Sequence, residues 1–174
     1  MNFLRITNSI KEVQDHLTSS GSENTEIETY LVAFLLVLIY SEFETRSKIL
    51  IARRCAFTTD THLKNFAQSI AKTGSEANQA ELARKAGRIT VDDLAATLEK
   101  FGADYRAAFL AQIKNTPAAI AWDLVVSNRH LIAHQTGTAV TFSDLVREYP
   151  ISLGILDSFA AALQLTSAHL SDLT

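Results

Sequence analysis

The chain has 174 residues, of which 47% are hydrophobic and 20% are charged, a balance that is ordinary for a soluble globular protein. Its formal charge of −3 argues against a broad nonspecific grip on nucleic acid, although a local basic site is compatible with it. The length suits one domain over residues 1–174 with a sizeable core. Only 2 Pro and 6 Gly favour long helices over a turn-rich β fold, so we expect an all-α helical bundle.

The single cysteine indicates a reducing compartment, and the hydropathy of the chain indicates no membrane span. Cys55 is the only cysteine, so the chain cannot form an internal disulfide. Residues 1–17 mix charge and polarity without a long apolar core, which does not resemble a signal peptide. The most hydrophobic run, residues 30–40, is too short to span a bilayer, and charged residues follow it at once. We therefore expect a cytoplasmic protein.

The first third of the chain predicts two helices. Residues 3–17 place their apolar side chains on one side, as an amphipathic helix does. The second helix is expected from about residue 23 to residue 54, which makes it long enough to be the spine of the bundle. It ends in Arg53 and Arg54, which are interpreted as helix-end cations rather than as phosphate contacts.

Within this long helix, Glu42 falls on the same line as the apolar Leu35 and Leu38. A carboxylate on a core-facing line must find a partner or stay protonated, and Arg46 is one turn away. One interpretation is a structural ion pair. The alternative is that the two residues border the functional site and orient its other side chains, so that Glu42→Ala would reduce activity more than Glu44→Ala.

Further helices are expected in the remainder of the chain. A short helix is predicted over residues 60–70, and the polar stretch 73–86 is predicted to be a loop or a weak helix. Thr90 is a suitable cap for a helix that ends near Lys100. Another helix is expected over residues 104–115.

At the end of the chain, the sequence predicts a connecting segment followed by a helix. Residues 142–149 are expected to connect two helices. Pro150 then starts a last helix over residues 151–170, because proline suits a first helical turn.

The helix that begins at Pro117 carries the candidate functional residues. Gly137 is a reasonable stop for it. At about 100° per residue, one broad arc of this helix is apolar and comprises Ile120, Leu124, Val125, Leu131 and Ile132. Opposite that arc lies a polar stripe that comprises Asp123, Ser127, His130 and His134.

Arg129 lies roughly 140° from His134 around this helix, among apolar neighbours, so it is not simply part of a solvated face. Cations near a helix C-terminus stabilise its partial negative charge by ~0.3–1 kcal/mol each, which is one explanation for these residues. The functional alternative is that imidazole and guanidinium converge on a phosphate. Histidine can move a proton near neutral pH, and arginine binds phosphate oxygens in a planar fork.

A metal site is a further alternative for the same residues. His130 and His134 have the i, i+4 spacing of a two-ligand pair on a helix, and Asp123 lies on the same stripe. The pair lacks the glutamate of an H-E-x-x-H motif and has no clear third ligand. We therefore predict neither a metal nor another cofactor.

The segment from Arg129 to His134 matches the R-x-x-x-x-H signature of HEPN domains. The motif ends a late helix, a long apolar helix with Glu42 and Arg46 precedes it, and residues 89–102 lie between the two. In this order of features the chain resembles the RiboL-PSP-HEPN and related prokaryotic HEPN nuclease families over nearly its whole length. It departs from them after the arginine, where the families often have Asn and this chain has His130.

The resemblance implies an all-helical, metal-independent endoribonuclease that works as a homodimer and leaves a 2′,3′-cyclic phosphate and a 5′-OH. By analogy with the family, its substrate would be RNA, and an antitoxin or a defence-system partner would restrain it. A non-catalytic interaction module is the alternative, since such domains occur in the superfamily. The residues expected to be catalytic are Arg129, His134 and His130. Those expected to support them are Glu42, Arg46, Asp123, Ser127 and Asn128.

Overall fold

The computed structural model describes residues 3–56, 89–134 and 138–166, and every regular element in these ranges is an α-helix. The all-α prediction is therefore confirmed. The predictions for residues 60–70 and 73–86, and the stop at Gly137, lie outside the described residues. In chain order the helices are α1 (Leu4–Ser20), α2 (Glu26–Ala56), α3 (Val91–Glu99), α4 (Ala103–Ile113), α5 (Pro117–Ala133), α6 (Phe142–Ser152) and α7 (Gly154–Ala162).

Short polar side chains begin several of these helices, and at Thr90 the sequence predicts the cap. The Thr90 side chain accepts a hydrogen bond from the backbone N–H of Asp93 at 3.1 Å, and the Asp93 carboxylate accepts one from the Thr90 backbone N–H at 3.1 Å. Thr116 caps α5, accepting from the Ala119 backbone N–H at 3.3 Å, with Pro117 in the first turn. The start of the motif helix is thus fixed by local chemistry.

The prediction for residues 142–149 is wrong, because these residues form most of α6. The Thr141 side chain accepts from the Asp144 backbone N–H at 3.2 Å, and the Asp144 carboxylate accepts from the Thr141 backbone N–H at 3.3 Å. This capping box starts a helix before Pro150, which lies inside α6 two residues from its end. The last described helix begins at Gly154 rather than at Ile151.

Aromatic side chains join the helices into one hydrophobic core. Trp122 of α5 is fully buried and stacks on Phe43 of α2, with ring centroids 4.3 Å apart and 10° between the planes. Phe109 of α4 meets Phe159 of α7 edge to face at 5.9 Å. Such pairs add to the free energy gained by burying the rings. As a result, α5 lies against the middle of the long helix.

The buried face of α5 is rotated relative to the predicted apolar arc. Trp122 and Val125 are fully buried, whereas Ile120 is 66% exposed and Leu131 is 36% exposed. The helix has apolar residues on most of its circumference, and Trp122 has the largest apolar surface to bury, so it selects the side that faces α2. Arg129 lies two turns after Trp122 and about 20° from it, which places the arginine on the core side.

The first half of α2 leaves an apolar stripe uncovered. Its members recur at spacings of three, four and three residues, which is the heptad pattern of a helix-pairing seam. We call it the α2 stripe, and it comprises Ile27, Tyr30, Phe34 and Val37, which are 47%, 65%, 57% and 48% exposed. Among the described helices, none has the length and apolar character needed to cross a membrane.

Candidate functional site

Arg129 of α5 is half-buried and lies over an aromatic ring of α2. Its guanidinium carbon is 4.9 Å from the centroid of the Tyr40 ring, a cation–π distance. Within the described ranges, no carboxylate comes within ion-pair distance of Arg129. A guanidinium held by its flat face keeps the N–H groups on its edge available to bind an anion.

The Tyr40 ring is itself fixed on several sides. Its hydroxyl accepts a hydrogen bond from the backbone N–H of Ile89 at 2.8 Å. The indole N–H of Trp122 donates to the backbone carbonyl of the same Ile89 at 2.5 Å. The Tyr40 and Trp122 rings are stacked at 6.1 Å with 11° between their planes. These contacts join α2, α5 and the chain before α3 directly beneath Arg129.

Tyr40 was not predicted as a site residue, because an aromatic residue at the end of an apolar run is typical of the hydrophobic core. Its partner Arg129 lies 89 positions further along the chain, so no local spacing relates them. Burial raises the pKa of the Tyr40 hydroxyl above its usual value, and the charge of Glu44 adds to this effect, while Ile89 and Arg129 oppose it. The phenol therefore stays neutral at physiological pH.

His130 and His134 meet at the C-terminal end of α5. Their ring centroids are 4.3 Å apart and the rings are nearly perpendicular, at 74°. His134 ends the helix, and its backbone N–H donates to the His130 carbonyl at 3.2 Å. The His130 side chain is half-buried and that of His134 is exposed. The structure thus brings two candidate proton-transfer groups together at a helix end open to solvent.

The rest of the polar stripe runs back along the exposed side of α5. Asp123 and Ser127 are both exposed, as the helical spacing predicts. Neighbouring protein reduces the hydration of the Asp123 carboxyl and raises its pKa, and the nearby Asp92 of α3 raises it further. The end of the stripe away from the histidines is therefore acidic, which makes it unsuited to a phosphate.

Asn128 is buried and holds the chain that returns from α5. Its amide nitrogen donates to the Leu124 carbonyl at 2.9 Å, and its amide oxygen accepts from the Ala139 backbone N–H at 2.8 Å. These two bonds tie the segment after the motif to the body of the helix. Asn128 therefore connects the helix beside Arg129 to the backbone at Ala139.

Glu42 and Arg46 form the ion pair that the sequence predicts. Arg46 Nε is 2.7 Å from Glu42 Oε1, and both side chains are mostly buried. The Arg46 guanidinium lies 5.0 Å from the centroid of the Phe3 ring. Burial, followed by the charge of Glu42, raises the pKa of the Tyr149 hydroxyl. The pair thus faces α1 and α6.

This position lies on a different side of α2 from Tyr40. Glu42 lies about 200° around α2 from Tyr40, on whose ring Arg129 stacks. Glu44, one turn after Tyr40, lies on the side of α2 next to the arginine and pairs with Lys48 at 2.6 Å. The geometry therefore fits the structural ion pair, whereas the relative effect of Glu42 and Glu44 on activity stays a prediction.

Metal ligands are sparse around the histidines. Over the ranges that the structure describes, no three side chains of His, Cys, Asp or Glu are placed to hold a metal ion. His130 and His134 therefore have no third protein ligand of these kinds there.

An all-helical bundle whose late helix ends in Arg129-x-x-x-x-His134 defines the class of the protein as a HEPN domain. The RiboL-PSP-HEPN family model matches residues 2–164, so the chain belongs to the RiboL-PSP-HEPN family. HEPN domains are generally ribonucleases that act on RNA, and they often dimerise. No curated protein and no solved structure matches the chain.

Proposed function

We propose that the protein is a metal-independent endoribonuclease that uses the 2′-OH of its RNA substrate as the nucleophile. The observation that carries this proposal is the arrangement at the end of α5. Arg129 has no ion pair with a carboxylate among the described residues, so its N–H groups can bind an anion. It lies within five residues of two imidazoles whose rings are in contact. Arginine is suited to phosphate oxygens, and histidine is suited to proton transfer near neutral pH.

The reaction needs two proton transfers and one positive charge. One imidazole removes the proton of the 2′-OH as the bond from O2′ to phosphorus forms. A second group protonates the 5′-oxygen as its bond to phosphorus breaks, leaving a 2′,3′-cyclic phosphate and a 5′-OH. Arg129 stabilises the negative charge that develops on the phosphoryl oxygens. In this proposal His134 performs one transfer, and His130 or the His134 of a second copy performs the other.

A homodimer with α5 near the two-fold axis is part of the proposal. Arg129 and His134 are separated by roughly 140° around one helix, so a single α5 surrounds a phosphate poorly. Exposed apolar side chains flank the histidine side of α5, notably Ile120. The α2 stripe is a second uncovered apolar surface with the spacing of a helix-pairing seam. Both features support association with a second copy.

Restraint of such an enzyme is a further part of the proposal. A ribonuclease that cleaves cellular RNA harms its host unless it is held inactive, so we propose an antitoxin or defence-system partner in the cytoplasm. The support for this partner is the analogy with the family alone.

The test is cleavage of end-labelled single-stranded RNA with and without EDTA, followed by analysis of the product ends. We expect cyclic phosphate and 5′-OH ends, with the rate unchanged by chelator, and we expect His134→Ala to abolish cleavage. His16→Ala is the matched control, because His16 is also exposed near a helix C-terminus but belongs to α1. Loss of activity in EDTA with recovery in Zn²⁺ or Mn²⁺ would instead establish a metal enzyme. Absence of cleavage would favour a non-catalytic interaction module.

A further inference from the structure

We propose that Tyr40 is a positioning residue that holds the Arg129 guanidinium over its ring and leaves its N–H groups available to the scissile phosphate. The part of this inference that concerns a phosphate rests on the proposed function. The contact between the two side chains is a feature of the fold and is independent of that function.

The ring contact holds Arg129 without using its hydrogen-bond donors. A carboxylate would also fix a guanidinium, but it would neutralise the charge and occupy the fork that binds phosphate. Tyr40 instead contacts the π face, at 4.9 Å from the ring centroid to the guanidinium carbon. The Glu44 carboxylate, whose charge acts on Tyr40, is engaged with Lys48.

The ring can impose an orientation because it is itself immobile. Tyr40 is only 4% exposed and its hydroxyl is bound to the Ile89 backbone. The Trp122 ring lies nearly parallel to both the Tyr40 and the Phe43 rings, with centroid separations of 6.1 and 4.3 Å. An arginine normally loses much rotamer freedom when it binds a ligand. Ordering the side chain beforehand removes part of that loss from the binding step and from the transition state.

The same stack supplies a matched pair of variants. Tyr40→Leu removes the ring under Arg129, whereas Phe43→Leu removes a ring that stacks on Trp122 and has no cation–π contact with Arg129. Both variants open the core. We expect Tyr40→Leu to lose roughly 5- to 30-fold in kcat/KM at equal folded fraction, the range of a partly desolvated cation–π contact. We expect Phe43→Leu, which leaves the Tyr40 ring in place, to lose clearly less rate per folded molecule than Tyr40→Leu.

Two ring replacements separate the π face from the hydroxyl. Tyr40→Phe keeps the face and loses the bond to Ile89, so its thermal midpoint should fall while its rate stays within about threefold of wild type. Pentafluorophenylalanine at the same position keeps the ring shape but reverses the charge of its face. It should lower the rate relative to Tyr40→Phe. This comparison does not require Tyr40→Leu to fold.

A readout that needs no RNA is the NMR signal of the Arg129 Nε–Hε group. We expect a ring-current shift and restricted motion of this group in wild type and Tyr40→Phe, and loss of both in Tyr40→Leu. An unchanged Arg129 signal in Tyr40→Leu would overturn the inference. Equal rate losses in Tyr40→Leu and Phe43→Leu, or equal rates for the two ring replacements, would also overturn it. A wild-type protein that leaves RNA intact would instead refute the proposed function, with the NMR comparison still deciding the contact.

Discussion

Arg129 and His134 are only five residues apart, yet the fold holds them in different ways. Arg129 lies on the core side of α5, where a buried ring orders its guanidinium before any ligand arrives. His134 ends the helix, is exposed, and contacts the ring of His130. This division suits the two roles, since a charge-stabilising group benefits from a fixed position and a proton-transfer group must reach solvent and substrate.

We expect His134→Ala to lower the cleavage rate by about 10²–10⁴-fold, the usual effect of losing a positioned acid or base. The thermal midpoint should change little, because the side chain is exposed. His130→Asn should be tolerated far better, because Asn is the residue that the family often has there. The measurement is the rate of each variant against its midpoint, with His16→Ala as control. Wild-type cleavage by His134→Ala would identify the residue as a helix-end cation.

We expect Arg129→Lys to lose at least about tenfold in rate, although the positive charge is retained. An ammonium offers no planar fork to a phosphate and does not stack flat on the Tyr40 ring. Single-turnover kinetics on the folded fraction would measure this loss. A lysine variant as fast as wild type would show that only the charge matters.

The carboxylates of α2 show where residue-level reasoning from sequence succeeds and fails. The pairing of Glu42 with Arg46 could be predicted, because both lie on one helix at an i, i+4 spacing. Which of Glu42 and Glu44 lies nearer the motif depends on where α5 packs around α2. That is decided by contacts between Trp122 and Phe43, which are distant in the chain.

We expect Glu42→Gln to lower the free energy of unfolding by roughly 1–2 kcal/mol, because it removes the negative charge that pairs with the mostly buried Arg46. Cleavage at equal folded fraction should be unchanged. Glu44→Gln should alter the rate more, since Glu44 lies beside Tyr40. Denaturant unfolding and kinetics on both variants would check this order. A Glu42→Gln variant that is stable but inactive would show that Glu42 contributes to the functional site.

At the scale of elements, helix ends follow from local chemistry and helix faces do not. Pro117 and the Thr90–Asp93 box could be read from the sequence, and they begin α5 and α3. The start of α6 was missed because the helix start was assigned to Pro150, although Thr141 and Asp144 have the same residue types and spacing as Thr90 and Asp93. The face of α5 was misjudged because its apolar residues surround the helix, so periodicity alone cannot select the buried side.

We expect Thr141→Ala to destabilise the protein by about 1 kcal/mol through loss of the α6 cap.

Hydrogen bonds from Thr141, followed by Arg147, hold the pKa of Asp144 below its usual value. The stability from this carboxylate is therefore present above pH about 4, near its unfolded pKa, and is lost as the pH falls through the lower folded value. Unfolding curves at several pH values should show less acid dependence for Asp144→Asn. Identical dependence would exclude this contribution.

At the scale of the whole molecule, the exposed surface suggests an incomplete assembly. The α2 stripe and Ile120 of α5 are large apolar side chains that face solvent in a single copy. A helix with heptad spacing can pair with an identical helix about a two-fold axis, since each copy presents the same complementary surface.

We expect the protein to be a dimer by light scattering at micromolar concentration, and we expect Ile120→Glu on α5 to dissociate it, because an unpaired charge in the interface is costly to desolvate. Phe34→Glu should have the same effect if the α2 stripe belongs to that interface. Leu4→Glu is the matched control, since Leu4 is 60% exposed but lies on α1. Both dissociated variants should lose RNA cleavage while they retain helicity and thermal midpoint, because two copies of the motif would no longer face each other. A wild-type monomer with full activity would mean that one α5 surrounds the phosphate alone, and the proton-transfer steps would then be confined to His130 and His134 of one chain.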